Sequence, residues 1–345
     1  MGQQVKKNKQ ITPVNILNSG RCYIPEWENQ ESVWLAWPHN KNEWKENLGN
    51  IRKFYEELIT VLLRFQNDNL IFPDVDLLCE TSVKAIHQLP QQLKKIIIPN
   101  NDIWIRDYGP FFIKELEGRR MVLDFEFNAW GGKFPPWNLD NNVPREIALY
   151  KGSEIESYPL VLEGGALEFS GDGIALTTEE CVLSETRNKN ISKHQTEEII
   201  KRAFNLKEII WLKNGLANDH TDGHIDNVAR FIDSQKILIC KSEKKNENYD
   251  RLQPSIESLK DYKFEIIEIP LPEGSEELPK SYANFIFVNG GIIVPTFSCK
   301  TDEKVLEIFK KLFPKREIVG IDCSVLIEQG GGLHCMTKQE PFIAD

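Results

Sequence analysis

Long apolar runs are missing from this chain of 345 residues. No stretch approaches the roughly 18 uninterrupted apolar residues that a membrane helix needs. The opening Met1-Gly2-Gln3-Gln4-Val5-Lys6 also lacks the apolar core of a secretory signal. No membrane partner is expected, and a cytoplasmic location is. Met1-Gly2 begins like an acylation signal, but Lys6 stands where that pattern asks for Ser or Thr, so lipidation is rejected. Paired cysteines are missing too. The seven present, at 22, 79, 181, 240, 299, 323 and 335, are odd in number and contain no C-x-x-C pair, which excludes a disulfide framework and a zinc ribbon. They read as free thiols in a reducing compartment. A clustered basic face is absent as well. With a net charge of -10 and dispersed Lys and Arg, nucleic acid is excluded as a partner. A cationic small molecule is compatible with that balance.

What is present is an ordinary globular composition, 41% hydrophobic and 27% charged, enough for a sizeable buried core. Residues 1 to 20 are polar and basic without periodicity and read as a flexible arm. Apolar residues at Trp44, Leu48, Ile51, Tyr55, Leu58, Leu62 and Phe65 step by four and three, predicting a long amphipathic helix. Ser192 with Gln195 resembles a capping box ahead of Ile199, Ile200, Ala203 and Phe204. Val305, Ile308, Phe309 and Leu312 form a further stripe, ended by Pro314. Short strands are expected at 33–37, 75–79, 123–127, 174–178, 228–232, 237–240, 285–288 and 292–295, several joined by tight turns such as Asn289-Gly290-Gly291. Hairpins mixed with helices along the whole length argue for α/β or α+β architecture. The segment 241–250 reads as a polar linker or exposed loop, and spacing alone reveals no repeat.

Four segments place reactive side chains among glycines, prolines and aromatics: Trp-Ile-Arg-Asp-Tyr-Gly-Pro at 104–110, Leu-Glu-Gly-Gly at 162–165, Asn-Asp-His-Thr-Asp-Gly-His-Ile-Asp-Asn at 218–227, and Gln-Gly-Gly-Gly-Leu-His-Cys-Met-Thr at 329–337. Cys335, behind a glycine triplet and next to His334, suits an exposed thiol held as a nucleophile, or else a small buried residue on a late strand. His224 and Asp226, two apart, would share one face of an extended strand, an arrangement for a base and a carboxylate facing one substrate. The same segment also admits a metal reading through His220, His224 and Asp226, although Asp222 and Gly223 make the helix behind a His-x-x-x-His site poor. Asp107 is expected at a strand-to-turn transition. With Asp226 it offers paired acceptors for a planar guanidinium, over which Trp104 would stack. Plain turn roles for Asp107 and Glu163 remain open at this point.

Taken together and in order, these four segments resemble the agmatine deiminase and bacterial-type peptidylarginine deiminase family. The resemblance runs from about residue 22 and takes in Trp34-Leu35-Ala36-Trp37-Pro38 and Asn128-Ala129-Trp130-Gly131-Gly132-Lys133. It implies the pentein fold, an α/β propeller of five ββαβ units around a pseudo-fivefold axis, in a single domain over 21–345. It implies Cys335 as nucleophile, His224 as acid and base, and Asp107 and Asp226 as guanidinium acceptors. Glu163 would be hydrogen-bonded to His224, and Trp104 would line the pocket. The implied substrate is a small guanidino cation, agmatine, hydrolysed to N-carbamoylputrescine and ammonia through an amidino-cysteine intermediate. Neither metal nor organic cofactor is required, and a homo-oligomer is compatible. Many agmatine deiminases carry an acidic residue four before the histidine, where this chain has His220. Asp219 or Asp222 is then expected to meet the distal amine, with Lys133 the nearby cation. The alternatives are arginine in peptides as substrate, a metal-dependent hydrolase, and a non-catalytic guanidinium-binding protein.

Overall fold

The computed structural model describes residues 20–66, 68–72, 89–115, 118–243 and 245–343. The expected arm, apart from residue 20, and the expected strand at 75–79 lie outside the described residues. The described strands form five separate sheets, and one pattern recurs in each. Two strands pair antiparallel, a helix follows, and a third strand pairs parallel with the second. Parallel neighbours need such a crossover, because the chain must return to the same end of the sheet before it can run alongside.

The first unit has Phe111–Lys114 against Arg120–Glu126, a crossover through the helix Val143–Lys151, and Glu154–Val161 as the parallel strand. The second pairs Glu168–Phe169 with Ile174–Thr178 and returns through Lys193–Phe204 to Glu208–Leu212. The third runs Ala229–Asp233, Lys236–Lys241, helix Glu247–Leu259 and Glu265–Pro270. The fourth runs Ile286–Val288, Gly291–Thr296, helix Thr301–Leu312 and Glu317–Asp322. In the fifth the two ends of the chain cooperate. Lys338–Pro341 pairs antiparallel with Gln30–Ala36, and the crossover through Leu48–Leu62 leads to Asp68–Phe72. This is the five-unit ββαβ pentein architecture, now visible as a repeat that spacing concealed.

Most sequence expectations hold with shifts of a residue or two. The long apolar stripe is real: Trp44, Leu48, Ile51, Tyr55, Leu58 and Leu62 are buried. The helix itself spans Leu48–Leu62, because Lys45, with φ of 43°, breaks the spiral after a first turn at Lys41–Trp44. Ser192 and Gln195 do form a reciprocal capping box at the start of Lys193–Phe204. The linker expected at 241–250 is corrected. Lys241 ends a strand, and Asn246 caps a helix that begins at Glu247 through its side-chain oxygen, which accepts from the Tyr249 N–H. Polar composition there marks a solvated first helical turn. Among the described residues no helix is long and apolar enough to cross a membrane.

The repeat matters for function because of what lies between units. Each connection into the first strand of a unit carries chemistry-bearing side chains: Asp107 before Phe111, Glu163 before Glu168, His224 and Asp226 before Ala229, Asn284 before Ile286, and Cys335 before Lys338.

Candidate active site

Buried backbone and charge contacts draw these connections together. The Arg106 N–H donates to the Cys335 carbonyl at 3.1 Å, and the Arg106 guanidinium donates to the His334 carbonyl at 3.2 Å and to Glu26 at 2.9 Å. Arg230, fully buried, donates to Glu26 at 2.7 Å and Glu168 at 2.9 Å and to the carbonyls of Ala283 and Phe285. His334 closes the circuit, with Nδ1 2.8 Å from Asp226 and Nε2 2.9 Å from Glu26. Two arginines shared among buried carboxylates and carbonyls leave few alternative arrangements, so the segments bearing Asp107, Asp226 and Cys335 are held rigidly.

Asp107 is not at a strand edge as expected. It lies in one helical turn, Ile105–Tyr108, which Gly109 ends. Its Oδ1 accepts from the Gly165 N–H and its Oδ2 from the Trp130 indole N–H, both at 2.9 Å. His224 and Asp226 are not on a strand either. His224 leads into the tight turn Ile225–Asn227, and the turn nevertheless aims both side chains inward. Gly165 shows the convergence: a Cβ built there would stand 2.5 Å from His224 Nδ1 and 2.9 Å from both Asp107 Oδ1 and Asp226 Oδ2. Only a residue without a side chain lets three polar groups from three connections meet at one point. His224 Nδ1 lies 3.6 Å from Asp107, and Nε2 lies 3.9 Å from Glu163. The second distance is that of an ion pair and exceeds hydrogen-bond length, which corrects the expected His224–Glu163 hydrogen bond. Glu163 gives its other oxygen to Arg187 at 2.7 Å, a buried pair. Both His224 nitrogens and Asp226 Oδ1 are buried without a hydrogen-bond partner among the described residues.

Cys335 is 2% exposed, which overturns the expectation of an exposed thiol. Its Sγ receives an N–H from Asn284 at 3.3 Å and lies 3.9 Å from Asp226 Oδ2. A cavity reaches it, lined among others by Trp104, Asp107, Trp130 and Phe134. Trp104 is where sequence placed it, and its ring fits because Gly331 has no Cβ, which would lie 2.2 Å from the indole.

Burial works against charge throughout the site, and neighbours decide the outcome. Burial would lower the His224 pKa, but the carboxylates of Asp107 and Glu163 and the Cys181 thiol hold it well above the usual imidazole range. Burial would raise Glu163, and Arg187 and His224 pull it to about 2. Asp107 goes the other way. Burial pushes it up to about 6, with Asp226 adding to the rise and His224 opposing it. Burial would raise Asp226 as well, but the hydrogen bond and charge of His334 keep it low. The Cys335 thiol is pushed well above its ordinary value by burial and by the facing Asp226 and Asp107. The protein groups of the site therefore set a neutral thiol beside a protonated imidazole and carboxylates that want a cation.

The metal set read from sequence does not assemble. His220 lines the cavity beside Phe134, while His224 is buried among Asp107, Glu163 and Gly165. The donors that do approach one another among the described residues are Glu163, Cys181 and His224, within 4.8 Å. A cation there would meet Arg187 already on Glu163 and a protonated His224, so the charges oppose metal binding.

Residues 22–341 match the model of the Porphyromonas-type peptidyl-arginine deiminases. The chain belongs to that family. An agmatine deiminase of Pseudomonas syringae pv. tomato is 32% identical, with 92% of this chain and 94% of that protein aligned. A cysteine-to-serine variant of C. jejuni agmatine deiminase, solved with substrate bound, superposes with a TM-score of 0.88 at 36% identity, covering 96% of this chain and 99% of that one. An agmatine deiminase of Enterococcus faecalis, solved while catalysing its reaction, gives a TM-score of 0.86 at 29% identity, with 93% and 96% covered. As a member of this family the chain is a hydrolase of amidine C–N bonds. Asn284, Arg187 and Trp130 complete the site geometrically. Of these, sequence reading touched only Trp130, and as part of a matching segment.

Proposed function

We propose that this protein is an agmatine deiminase, converting agmatine and water to N-carbamoylputrescine and ammonium. The observation that carries the reading is the convergence of Asp107, Asp226, His224 and Cys335 on one point beside Gly165. Agmatine as the particular substrate draws support from the relatives that act on it, and from a cavity that no Lys or Arg lines among the described residues. An arginine or peptide substrate would want a basic donor for its carboxylate or backbone carbonyls.

The guanidinium enters as a planar cation and takes paired N–H bonds to Asp107 and Asp226, with Trp104 over its face. Its charge cancels the two carboxylates that keep the thiol neutral, so binding itself lowers the Cys335 pKa and the thiol proton leaves to solvent. The thiolate attacks the central carbon. His224 gives its proton to the departing nitrogen, ammonia leaves, and an alkylated amidino-cysteine cation remains. Neutral His224 then takes one proton from the attacking water. The C–S bond breaks and the ureido product forms. The second proton is released and ends on ammonia, so the net change is guanidinium plus water to urea group plus ammonium. Asp107 and Glu163 keep the imidazole protonated between turnovers, and Arg187 fixes Glu163 in place.

Two measurements follow. Purified protein tested for ammonia release with agmatine, free arginine and an arginine-containing peptide is expected to give its highest kcat/KM with agmatine. A higher value for the peptide would move the assignment to the peptidyl branch. Separately, the ultraviolet thiolate absorbance of the ligand-free protein, with Cys335→Ala as the blank, is expected to rise only above the ordinary cysteine range. An unreactive alkylguanidinium should bring that rise down toward neutral pH. A thiolate already present at neutral pH without ligand would contradict ionisation by the substrate.

A further inference from the structure

The guanidinium end of the cavity is accounted for, but the distal ammonium of agmatine has no acceptor among the residues the sequence suggested. Asp219 is folded into its own turn, taking the Thr221 N–H and hydroxyl at 2.8 and 2.6 Å and the Asn227 amide at 3.3 Å. Asp222 is paired with Lys133 and with Arg187. Neither lines the cavity. Lys133 is likewise engaged, donating to Asp222 and to the His220 carbonyl.

Two other carboxylates do line it, Glu43 and Asp102. Cys335 and Asp107, at the reacting end, are almost fully buried, whereas Glu43 and Asp102 are only partly so, which places them toward the open end of the same cavity. Glu43 stands on the single helical turn Lys41–Trp44, whose cap is the Asn40 side chain. Among the described residues its carboxylate has no hydrogen bond or ion pair. Asp102 uses one oxygen on the Ile103 N–H. Burial pushes its pKa up to about 6, and the charge of Glu43 adds to the rise. Two acids facing one apolar-walled cavity that no Lys or Arg lines among the described residues form a receptor for a positive group. Trp104, Trp130 and Phe134 wall the stretch between, a surface for a short alkyl chain.

We propose that Glu43, assisted by Asp102, receives the distal ammonium and selects guanidines that end in an amine. The proposal rests on the deiminase reading above and names the contact that makes agmatine its substrate. The test compares kcat/KM of the full chain and its variants on agmatine, on butylguanidine, which lacks the amine, and on 4-guanidinobutanoate, which ends in a carboxylate. A charged hydrogen bond is worth enough that Glu43→Gln is expected to lower the agmatine-to-butylguanidine ratio about ten- to a hundredfold, mostly through KM. Glu43→Asp should restore part of the ratio, and Glu43→Lys should shift preference toward 4-guanidinobutanoate. An unchanged ratio in Glu43→Gln, or equal losses on agmatine and butylguanidine, overturns the proposal. A wild type that releases no ammonia from agmatine overturns the substrate reading itself, whatever the variants do.

Discussion

Cys335→Ala is expected to reduce kcat on the order of 10⁴- to 10⁶-fold, the scale of losing a covalent nucleophile. The residual rate would come from the remaining site, which still binds and orients the guanidinium through Asp107 and Asp226. Binding should therefore outlast turnover. The variant removes one small buried sulfur, and the segment stays tied by the Arg106 N–H to the carbonyl of residue 335, so folding is expected to persist. Steady-state kinetics with calorimetric binding of agmatine to the variant separates the two. Wild-type turnover by Cys335→Ala would remove the sulfur from the mechanism.

His224→Gln is expected to lower kcat by roughly 10²- to 10⁴-fold, the usual range for a general acid and base, with KM little changed. The imidazole stands between Asp107 and Glu163, and burial would discharge it were those carboxylates not there. Because its folded pKa is raised, it stays protonated through neutral pH and supplies the acid in the first step. Asp107 sets the opposite limit. With a pKa raised to about 6 it loses its charge as pH falls through that value, and with it the grip on the guanidinium. Wild-type kcat/KM should accordingly fall steeply on the acid side below about pH 6. A flat profile there would contradict Asp107 as an acceptor.

Which parts of this were legible in sequence follows from where the constraints are local. Asp107, Glu163, His224, Asp226 and Cys335 announced themselves because glycines and aromatics surround each of them, and the structure brings them to one place. Their local shapes did not show. Asp107 sits in a helical turn and His224 heads another, and such short turns carry no periodicity. The exposure of Cys335 was misjudged because a glycine triplet signals close approach without saying whether water or Trp104 does the approaching.

The repeat was hidden because in four units the third strand lies at a sheet edge and is only partly buried, whereas Asp68–Phe72 of the fifth is fully buried between two neighbouring strands, so the third strands share no common apolar pattern. Yet Glu154-Ile155, Glu208-Ile209, Glu265-Ile266 and Glu317-Ile318 open four of these strands in the same way, a short trace of the repeat in the sequence itself. Arg187 offered no such clue. It sits in a plain polar turn, Glu185–Asn188, and its contact with Glu163 exists only once the second unit has folded. Asp219 and Asp222 were attractive through nearness to His224 along the chain, but a turn consumes one and two cations consume the other.

The most direct test is intact-protein mass spectrometry of enzyme quenched in acid during turnover of agmatine, followed by peptide mapping. The account predicts a population heavier by the mass of the substrate less one ammonia, with the modification on Cys335 and none on the other cysteines. A steady state with no adduct in wild type, or an adduct on another residue, would contradict it.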